Sequence, residues 1–156
     1  MLSVASPLRA LGLFSLALLL AGLGAGCSSS SEPLPPARDN PLPACPESPN
    51  CERFSASFSV PPPQLFEATV RALEALEAER VTRGPDSLRA AAVFRVAWVF
   101  QDDVAVAVTA RPEGGSLLHA RSASRVGYSD LGVNRRRLQR LREAVNMALM
   151  TMPGAP

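Results

Sequence analysis

The stretch from Ala120 to Arg142, ARSASRVGYSDLGVNRRRLQRLR, decides how the last strand of this chain is joined to its last helix. Residues 120–124 end a predicted strand, residues 125–133 form a connection punctuated by glycines, and a helix with a cationic first turn follows. Glycine reaches backbone conformations that are closed to other residues, which favours a sharp connection here. Hydroxyl, amide and acid side chains mix with many arginines, so this stretch is the strongest candidate for a functional surface.

The chain before this stretch has an apolar pattern with a period of two. Residues 89–100 predict one strand, residues 104–111 a second and residues 117–124 a third. Gln101-Asp102-Asp103 and residues 112–115 are predicted as the turns between them. Consecutive strands joined by short turns predict an antiparallel meander.

Two amphipathic helices flank these strands. Residues 65–79 and the C-terminal region each have one apolar helical face, formed by Phe66, Val70, Leu73 and Leu76 in the first helix and by Leu138, Leu141, Val145, Ala148 and Leu149 in the second. Residues 53–60 predict a short edge strand, and another short strand is expected near Val81. We therefore predict an α+β fold, in which an antiparallel sheet of about four strands (a meander) is covered by two amphipathic helices.

The N-terminal residues 1–26 have the pattern of an export signal. Arg9 supplies positive charge, residues 11–26 are apolar and end in small residues, and Cys27 follows. Small residues before a single Cys resemble the bacterial lipobox, although Gly24 stands where leucine is usual. We expect Cys27 to be lipidated; an ordinary cleaved signal and an uncleaved anchor are the alternatives. Such a protein would lie in the bacterial cell envelope, lipid-anchored to a membrane and facing the periplasm or the exterior.

Residues 27–44 are rich in Ser and Pro and predict a tether, which leaves residues 45–152 as a single domain. Cys45 and Cys51 then form an even pair in an oxidising compartment, on either side of a segment that favours a tight turn. We expect a disulfide between them, with free thiols and a metal site as the alternatives. A metal site is disfavoured because the chain has one His and no second Cys pair.

The charge of the chain argues against one class of partner. All 16 basic residues are arginine, and the formal net charge is only +2. A charge this small does not favour nucleic acid. The partners that we expect are a membrane, reached through the lipid anchor, and an anionic envelope component or a partner protein. The sequence indicates no cofactor.

Three segments together carry a family resemblance. CPESPNC (Cys45–Cys51), the pair Asp102-Asp103 and RSASRVGYSDLGVNRRR (Arg121–Arg137) resemble the bacterial domain-of-unknown-function 1499 family. The resemblance covers most of the predicted domain and implies a small exported or membrane-attached protein. It implies no established activity, substrate or cofactor. The chain departs from the family pattern at Glu52, where a small apolar residue followed by serines is expected.

Candidate catalytic residues are few. His119 is the only histidine, and without a G-x-S-x-G segment we expect it to be a partly exposed strand residue and not part of a catalytic triad. An enzyme acting on an envelope component would use Asp102, Asp103 or Asp130 as acid or base, and this is our alternative hypothesis. Adjacent acids at a turn point in different directions, so we expect Asp102 and Asp103 to end a strand and pair with arginines. The sequence assigns no catalytic residue.

The predicted start of the last helix poses an electrostatic question. Asp130 or Asn134 can cap this helix, which places Arg135, Arg136 and Arg137 in its first turn. A helix N-terminus carries partial positive charge and favours acids by about 0.3–1 kcal/mol per charge. Either nearby carboxylates neutralise the three arginines, or an anion binds to the helix N–H groups and the guanidinium forks.

Three hypotheses follow. In the first, this surface binds an anionic group through Arg121, Arg125, Asp130, Asn134, Arg135, Arg136 and Arg137. In the second, Arg121, Arg125 and Asp130 form a structural network that fixes the connection. In the third, the domain is an assembly module, which predicts an exposed apolar patch around Trp98 and Phe100.

Overall fold

The computed structural model describes residues 39–85 and 88–152. Its elements are, in chain order, β1 (Cys51–Phe58), α1 (Pro62–Ala75), β2 (Arg80–Arg83), β3 (Arg89–Val96), β4 (Phe100–Ala110), β5 (Ser116–Ser124) and α2 (Val133–Thr151). The expected signal segment, Cys27 and most of the tether lie outside the described residues. Within the described ranges no helix is long and apolar enough to span a membrane.

The strands form one antiparallel sheet in the order β1-β5-β4-β3-β2. Strands β2 to β5 make the predicted meander, so the α+β class is confirmed. The sheet has five strands, because β1 pairs along its whole length with β5, from Cys51 opposite Ala123 to Phe58 opposite Ser116. This pairing places β5 in the interior of the sheet.

The turn between β3 and β4 lies four residues earlier than predicted. Ala97 and Trp98 form it with positive φ angles of 47° and 68°, and Val96 pairs with Phe100 across it. The predicted turn at Gln101-Asp102-Asp103 is wrong, since these residues belong to β4. Ala and Trp rarely adopt positive φ, so the sequence carries no turn signal at the true position.

Both helices pack on one face of the sheet. Their buried side chains meet those of the strands in one core, which includes Phe54, Leu65, Leu73, Val104, Val106, Leu118, Leu138 and Leu141. The predicted helical faces are confirmed, although α1 begins at Pro62 and ends at Ala75. A proline suits the first turn of a helix, where its missing N–H costs no hydrogen bond. The start of α2 lies against the beginning of β4 and the end of β5, where Asn134 contacts Ser124 and Arg137 contacts Asp102.

The segment before β1 covers part of the other face. The Asn40 side chain donates to the carbonyl of Phe54 at 2.9 Å, Arg53 donates to the carbonyl of Leu42 at 3.2 Å, and Leu42 is buried. His119 is also on this face and is 1% exposed, so the expectation of a partly exposed residue is wrong. The reason is the pairing of β1, which gives His119 a neighbouring strand on each side.

Candidate functional site

The two longest segments of the family resemblance meet in space. Cys45 and Cys51 form the expected disulfide, with 5.6 Å between their Cα atoms. The loop that they close presents Asn50, whose carbonyl accepts a hydrogen bond from the Ser124 amide at 2.9 Å and whose side chain donates to the carbonyl of Gly127 at 2.5 Å. The disulfide loop is therefore the support on which the strand-to-helix connection rests.

Asp130 caps α2 from outside the helix. Gly132 occupies the cap position with a φ of 77°, and the Asp130 carboxylate accepts hydrogen bonds from the amides of Gly132 at 2.9 Å and Asn134 at 2.6 Å. Burial opposes the charged form of Asp130, but the hydrogen bonds from these amides outweigh it and lower the pKa of the carboxyl. Of the two predicted caps, Asp130 is the one that supplies the acceptor.

Asn134 is the hub of a buried polar network and is 1% exposed. Its amide nitrogen donates to the carbonyl of Asn50 at 2.9 Å and to the Ser124 hydroxyl at 3.0 Å. Its amide oxygen accepts from the Ser122 hydroxyl and from Arg137 at 2.8 Å. One side chain thus joins the disulfide loop, β5 and α2.

Arg137 is the buried cation of this network. Its Nη2 lies 2.7 Å from Oδ2 of Asp102, and the two side chains are 11% and 3% exposed. The Asp102 oxygen makes no directed hydrogen bond, so this contact is an ion pair in which the N–H does not point along the line to the oxygen. The guanidinium carbon also lies 4.9 Å from the centre of the Phe94 ring, a cation–π contact.

Two more arginines of the predicted set have carboxylate partners at the surface. Arg135 donates a hydrogen bond to Glu52 at 2.9 Å, and Arg125 donates one to each carboxylate oxygen of Asp103, at 3.0 and 2.7 Å. Hydrogen bonds to these acids raise the pKa of both guanidinium groups. Glu52, the residue that departs from the family pattern, therefore supplies the counter-charge for Arg135.

The seven residues of the predicted anion-binding surface do not lie on one face of the molecule. Arg121 lies opposite Arg53 of β1 and Ala105 of β4, on the face of the sheet away from the helices. Neighbouring strand residues point to opposite faces, so Ser122 reaches Asn134 while Arg121 cannot. The Nε atom of Arg121 is buried and has no hydrogen-bond partner among the described residues.

An open groove of about 330 Å³ lies between α2 and the end of α1. Its lining residues are Leu76, Phe94, Val133, Arg136, Arg137 and Arg140, and we call it the arginine groove. None of them is acidic. Arg136 donates to the carbonyl of Leu131 at 3.1 Å, and the structure shows no ion pair for Arg136 or Arg140 with any described residue.

Arg140 is absent from the predicted set, although the sequence carries a signal for it. Residues four apart on a helix lie on the same face, and Arg140 is four residues after Arg136. The groove therefore combines three guanidinium groups with an apolar floor. Planar guanidinium groups bind phosphate or carboxylate oxygens through paired hydrogen bonds, which is the chemistry that this site offers.

A second cavity of about 330 Å³ lies between the β3–β4 turn and the connection to α2. Asp102 and Asp130 line it together with mostly apolar residues, whereas Asp103 does not. Acid–base chemistry would favour a carboxyl with a raised pKa, but the pKa of Asp130 is lowered and Asp103 is held by Arg125 at the surface. No cluster of metal-ligating side chains occurs among residues 39–85 and 88–152.

Several solved structures are similar to this chain at low identity. Protein CV1439 from Chromobacterium violaceum is 12% identical with a TM-score of 0.46, and the match covers 69% of this chain and 99% of that one. Ara h 8.0201 is 12% identical with a TM-score of 0.38, covering 65% and 98%. TTHA0849 from Thermus thermophilus is 10% identical with a TM-score of 0.35, covering 63% and 92%.

None of the curated proteins matches the sequence. The family model described as "Protein of unknown function (DUF1499)" matches residues 41–145, a range that contains the disulfide loop, the sheet and most of α2. This range is more than half of the chain, and the chain therefore belongs to the DUF1499 family.

Proposed function

We propose that this protein is a lipid-anchored binding module of the bacterial envelope that holds an anionic group, a phosphate or a carboxylate, in the arginine groove. The observation that carries the proposal is the lining of the groove, in which Arg136 and Arg140 have no carboxylate partner among the described residues while the arginines around them do. The chain neutralises Arg135 and Arg137 with its own acids and leaves these two cations available.

The floor of the groove limits the class of ligand. Leu76, Phe94 and Val133 form it, so an anion carried on an apolar or amphiphilic body would bury apolar surface that a free ion cannot. Each guanidinium group can donate two parallel hydrogen bonds to an oxyanion. A phosphate ester with a glyceride body fits this combination of charge and apolar floor.

The N-terminal region supports a position at the membrane. An apolar segment at residues 11–26 precedes Cys27, and lipidation at this cysteine would anchor the chain. The tether of residues 27–44 would then let the domain reach any distance up to roughly 30–50 Å from the bilayer surface. Mass spectrometry of the mature N-terminus tests this part of the proposal, because a diacylglyceryl-modified Cys27 is expected and an unmodified one would contradict it.

The groove is tested with soluble anions. All the described helices and strands belong to one compact unit, so a fragment that starts within the tether allows titration without the apolar residues 11–26. We expect dihexanoyl phosphatidylglycerol, added as monomers, to shift the side-chain Nε–H resonances of Arg136 and Arg140 in NMR spectra. Inorganic phosphate should bind more weakly, because it makes no contact with the apolar floor. Added salt should weaken both interactions, since the groove is open to solvent.

A charge-matched pair of variants separates the site from the net charge. Arg136→Glu with Arg140→Glu should abolish the binding. Arg80→Glu with Arg89→Glu changes the net charge equally at exposed arginines outside the groove and should retain it. Equal loss in both double variants would mean that only the overall charge attracts the anion, and the proposed site would then be wrong.

A further inference from the structure

We propose that the end of the sheet nearest the start of α2 docks onto the surface of a phospholipid bilayer. Two loops at this end present large apolar side chains to solvent: Trp98 is 88% exposed, Leu131 85%, Tyr128 77% and Val99 75%. Phe100 and Val126 beside them are at least half exposed. We call this set of six residues the apolar tip.

The two loops form one surface. The amide of Arg125 donates to the carbonyl of Gln101 at 3.1 Å, which joins the start of the second loop to β4 just after the first. The cavity between them is lined by Val96, Phe100, Val126 and Val133 along with polar groups. The apolar tip is therefore continuous across both loops, as a membrane-facing surface would need to be.

The backbone holds these side chains outward at a conformational cost. Ala97, Trp98 and Leu131 have φ angles of 47°, 68° and 53°, a region that residues with a Cβ rarely adopt. Such outliers persist only where the surrounding structure imposes them, and they are common at functional surfaces. In both loops the outlier coincides with a side chain that is more than four-fifths exposed.

The chemistry of the tip fits the interfacial zone of a membrane. Trp and Tyr combine an apolar ring with a polar group and are enriched where hydrocarbon meets headgroups. Nearby carboxylates are compensated, because Asp103 pairs with Arg125 and Glu79 pairs with Arg95.

The charge left next to the tip is positive. Arg136 contacts the carbonyl of Leu131, within the tip, and also lines the arginine groove together with Arg140. These cations complement the anionic lipids of a bacterial membrane. A layer of anionic lipid phosphates would supply the counter-charge for both arginines, whereas a protein partner would need acids at matching positions.

The apolar residues 11–26 precede Cys27, and lipidation at this cysteine would keep a bilayer within reach of the domain. The inference stands apart from the proposed function. The tip inserts through its apolar side chains whether or not an anion occupies the groove, and the two can fail separately.

Trp98 is the only tryptophan of the chain, which makes it a built-in reporter of insertion. The full chain is reconstituted in vesicles of phosphatidylcholine with phosphatidylglycerol, some of them containing lipids with brominated acyl chains. We expect the emission of Trp98 to move to shorter wavelengths, to be quenched at least about twofold by the brominated lipids and to be protected from acrylamide in the water phase. Emission unchanged from that of exposed indole would overturn the inference.

Two substitutions at matched exposed sites localise the effect. Leu131→Asp should reduce quenching by brominated lipid at least about twofold. Met150→Asp should not, because this exposed residue lies near the other end of α2, about 25 Å along the helix axis. Circular dichroism is used to check that both variants are folded. Equal effects of the two substitutions would contradict docking through the tip.

Two further outcomes separate the alternatives. Protection of Trp98 from acrylamide without quenching by brominated lipid would mean that a second copy or another protein covers the tip, and would overturn the inference. Quenching that persists in Arg136→Glu with Arg140→Glu would support the inference. If this variant also no longer binds phosphatidylglycerol monomers, the groove is the anion site and the tip inserts independently of it. Quenching that is lost in this double variant but unchanged in Leu131→Asp would show that charge and not the apolar tip holds the domain at the bilayer, and would overturn the inference.

Discussion

Replacing Asp102 with Ala should destabilise the domain by about 3 kcal/mol. Removing one partner of a buried ion pair costs about 3–5 kcal/mol, because the other charge is left buried and uncompensated. Here the side chains of Asp102 and Arg137 are 3% and 11% exposed. The lower end of the range applies because Arg137 keeps Ser122 and Asn134 as acceptors and the Phe94 ring as a cation–π partner.

The free energy of unfolding is measured by urea denaturation with the disulfide intact, and an unchanged slope shows that the compactness of both states is preserved. Asp103→Ala is the matched control. Its carboxylate is 51% exposed and pairs with an Arg125 that is 45% exposed, so its removal should cost no more than about 1 kcal/mol. Equal losses at the two adjacent acids would refute the reasoning from burial.

The double variant Asp102→Leu with Arg137→Met tests the pair itself. Replacing a buried ion pair by apolar residues of similar volume is often nearly neutral, so the double variant should be more stable than the sum of the single losses predicts by at least about 1 kcal/mol. Additive losses, within about 0.5 kcal/mol, would mean that the two side chains do not interact across the core.

Two further predictions concern the cap and the buried histidine. Asp130→Ala should lower the free energy of unfolding by about 1–2 kcal/mol, because two amides lose their acceptor, and Asp130→Asn, which keeps one acceptor oxygen, should lose less in the same urea experiment. Burial, aided by Arg53 and Arg89, lowers the pKa of His119. The unfolded chain therefore binds the proton first, and stability should fall as the pH drops below about 6.5, by at most about 1.4 kcal/mol per pH unit. His119→Gln should remove this slope; an identical pH profile for the variant would contradict a neutral buried imidazole.

Local patterns in the sequence predicted most of the fold. Apolar residues with a period of two gave three strands of the meander, a period near 3.6 gave both helical faces, and the spacing of Cys45 and Cys51 gave the disulfide. Each of these signals lies within a short window of the chain. The pairing of β1 with β5 joins residues more than 50 positions apart, and no local pattern reports it.

The errors in the candidate site arise because local sequence patterns do not report which residues the fold brings together. The turn at Ala97 and Trp98 has no glycine, asparagine or proline, so the polar Asp102-Asp103 pair looked like the turn instead. Moving the turn shifts both acids into β4, where alternation sends Asp102 into the core and Asp103 to the surface. Arg121 lies on the face away from the helices for the same reason, because side chains alternate along β5. Its closeness in sequence to the other arginines therefore does not bring it close to them in space.

The start of α2 shows how the electrostatic conflict in the sequence is resolved. Acid side chains from three separate segments compensate the positive charge of the arginine-rich first turn. Asp130 caps the amides, Glu52 pairs with Arg135, and Asp102 pairs with Arg137. Local preferences and the fold agree in most natural proteins, and the disagreements that persist tend to mark functional sites.

Arg136 and Arg140 are the two cations near the start of α2 whose charge no carboxylate of the described residues compensates. Both line the groove beside its apolar residues, and neither receives a carboxylate from the described chain. Arg136 also contacts the carbonyl of Leu131 in the apolar tip. In the proposed function, the oxygens of a bound anion would supply the counter-charge that the described chain does not give these two arginines. A membrane of anionic phospholipids has its phosphates at the depth where Trp98 and Leu131 would insert. One lipid headgroup could therefore bind in the arginine groove while the apolar tip is docked on the same bilayer.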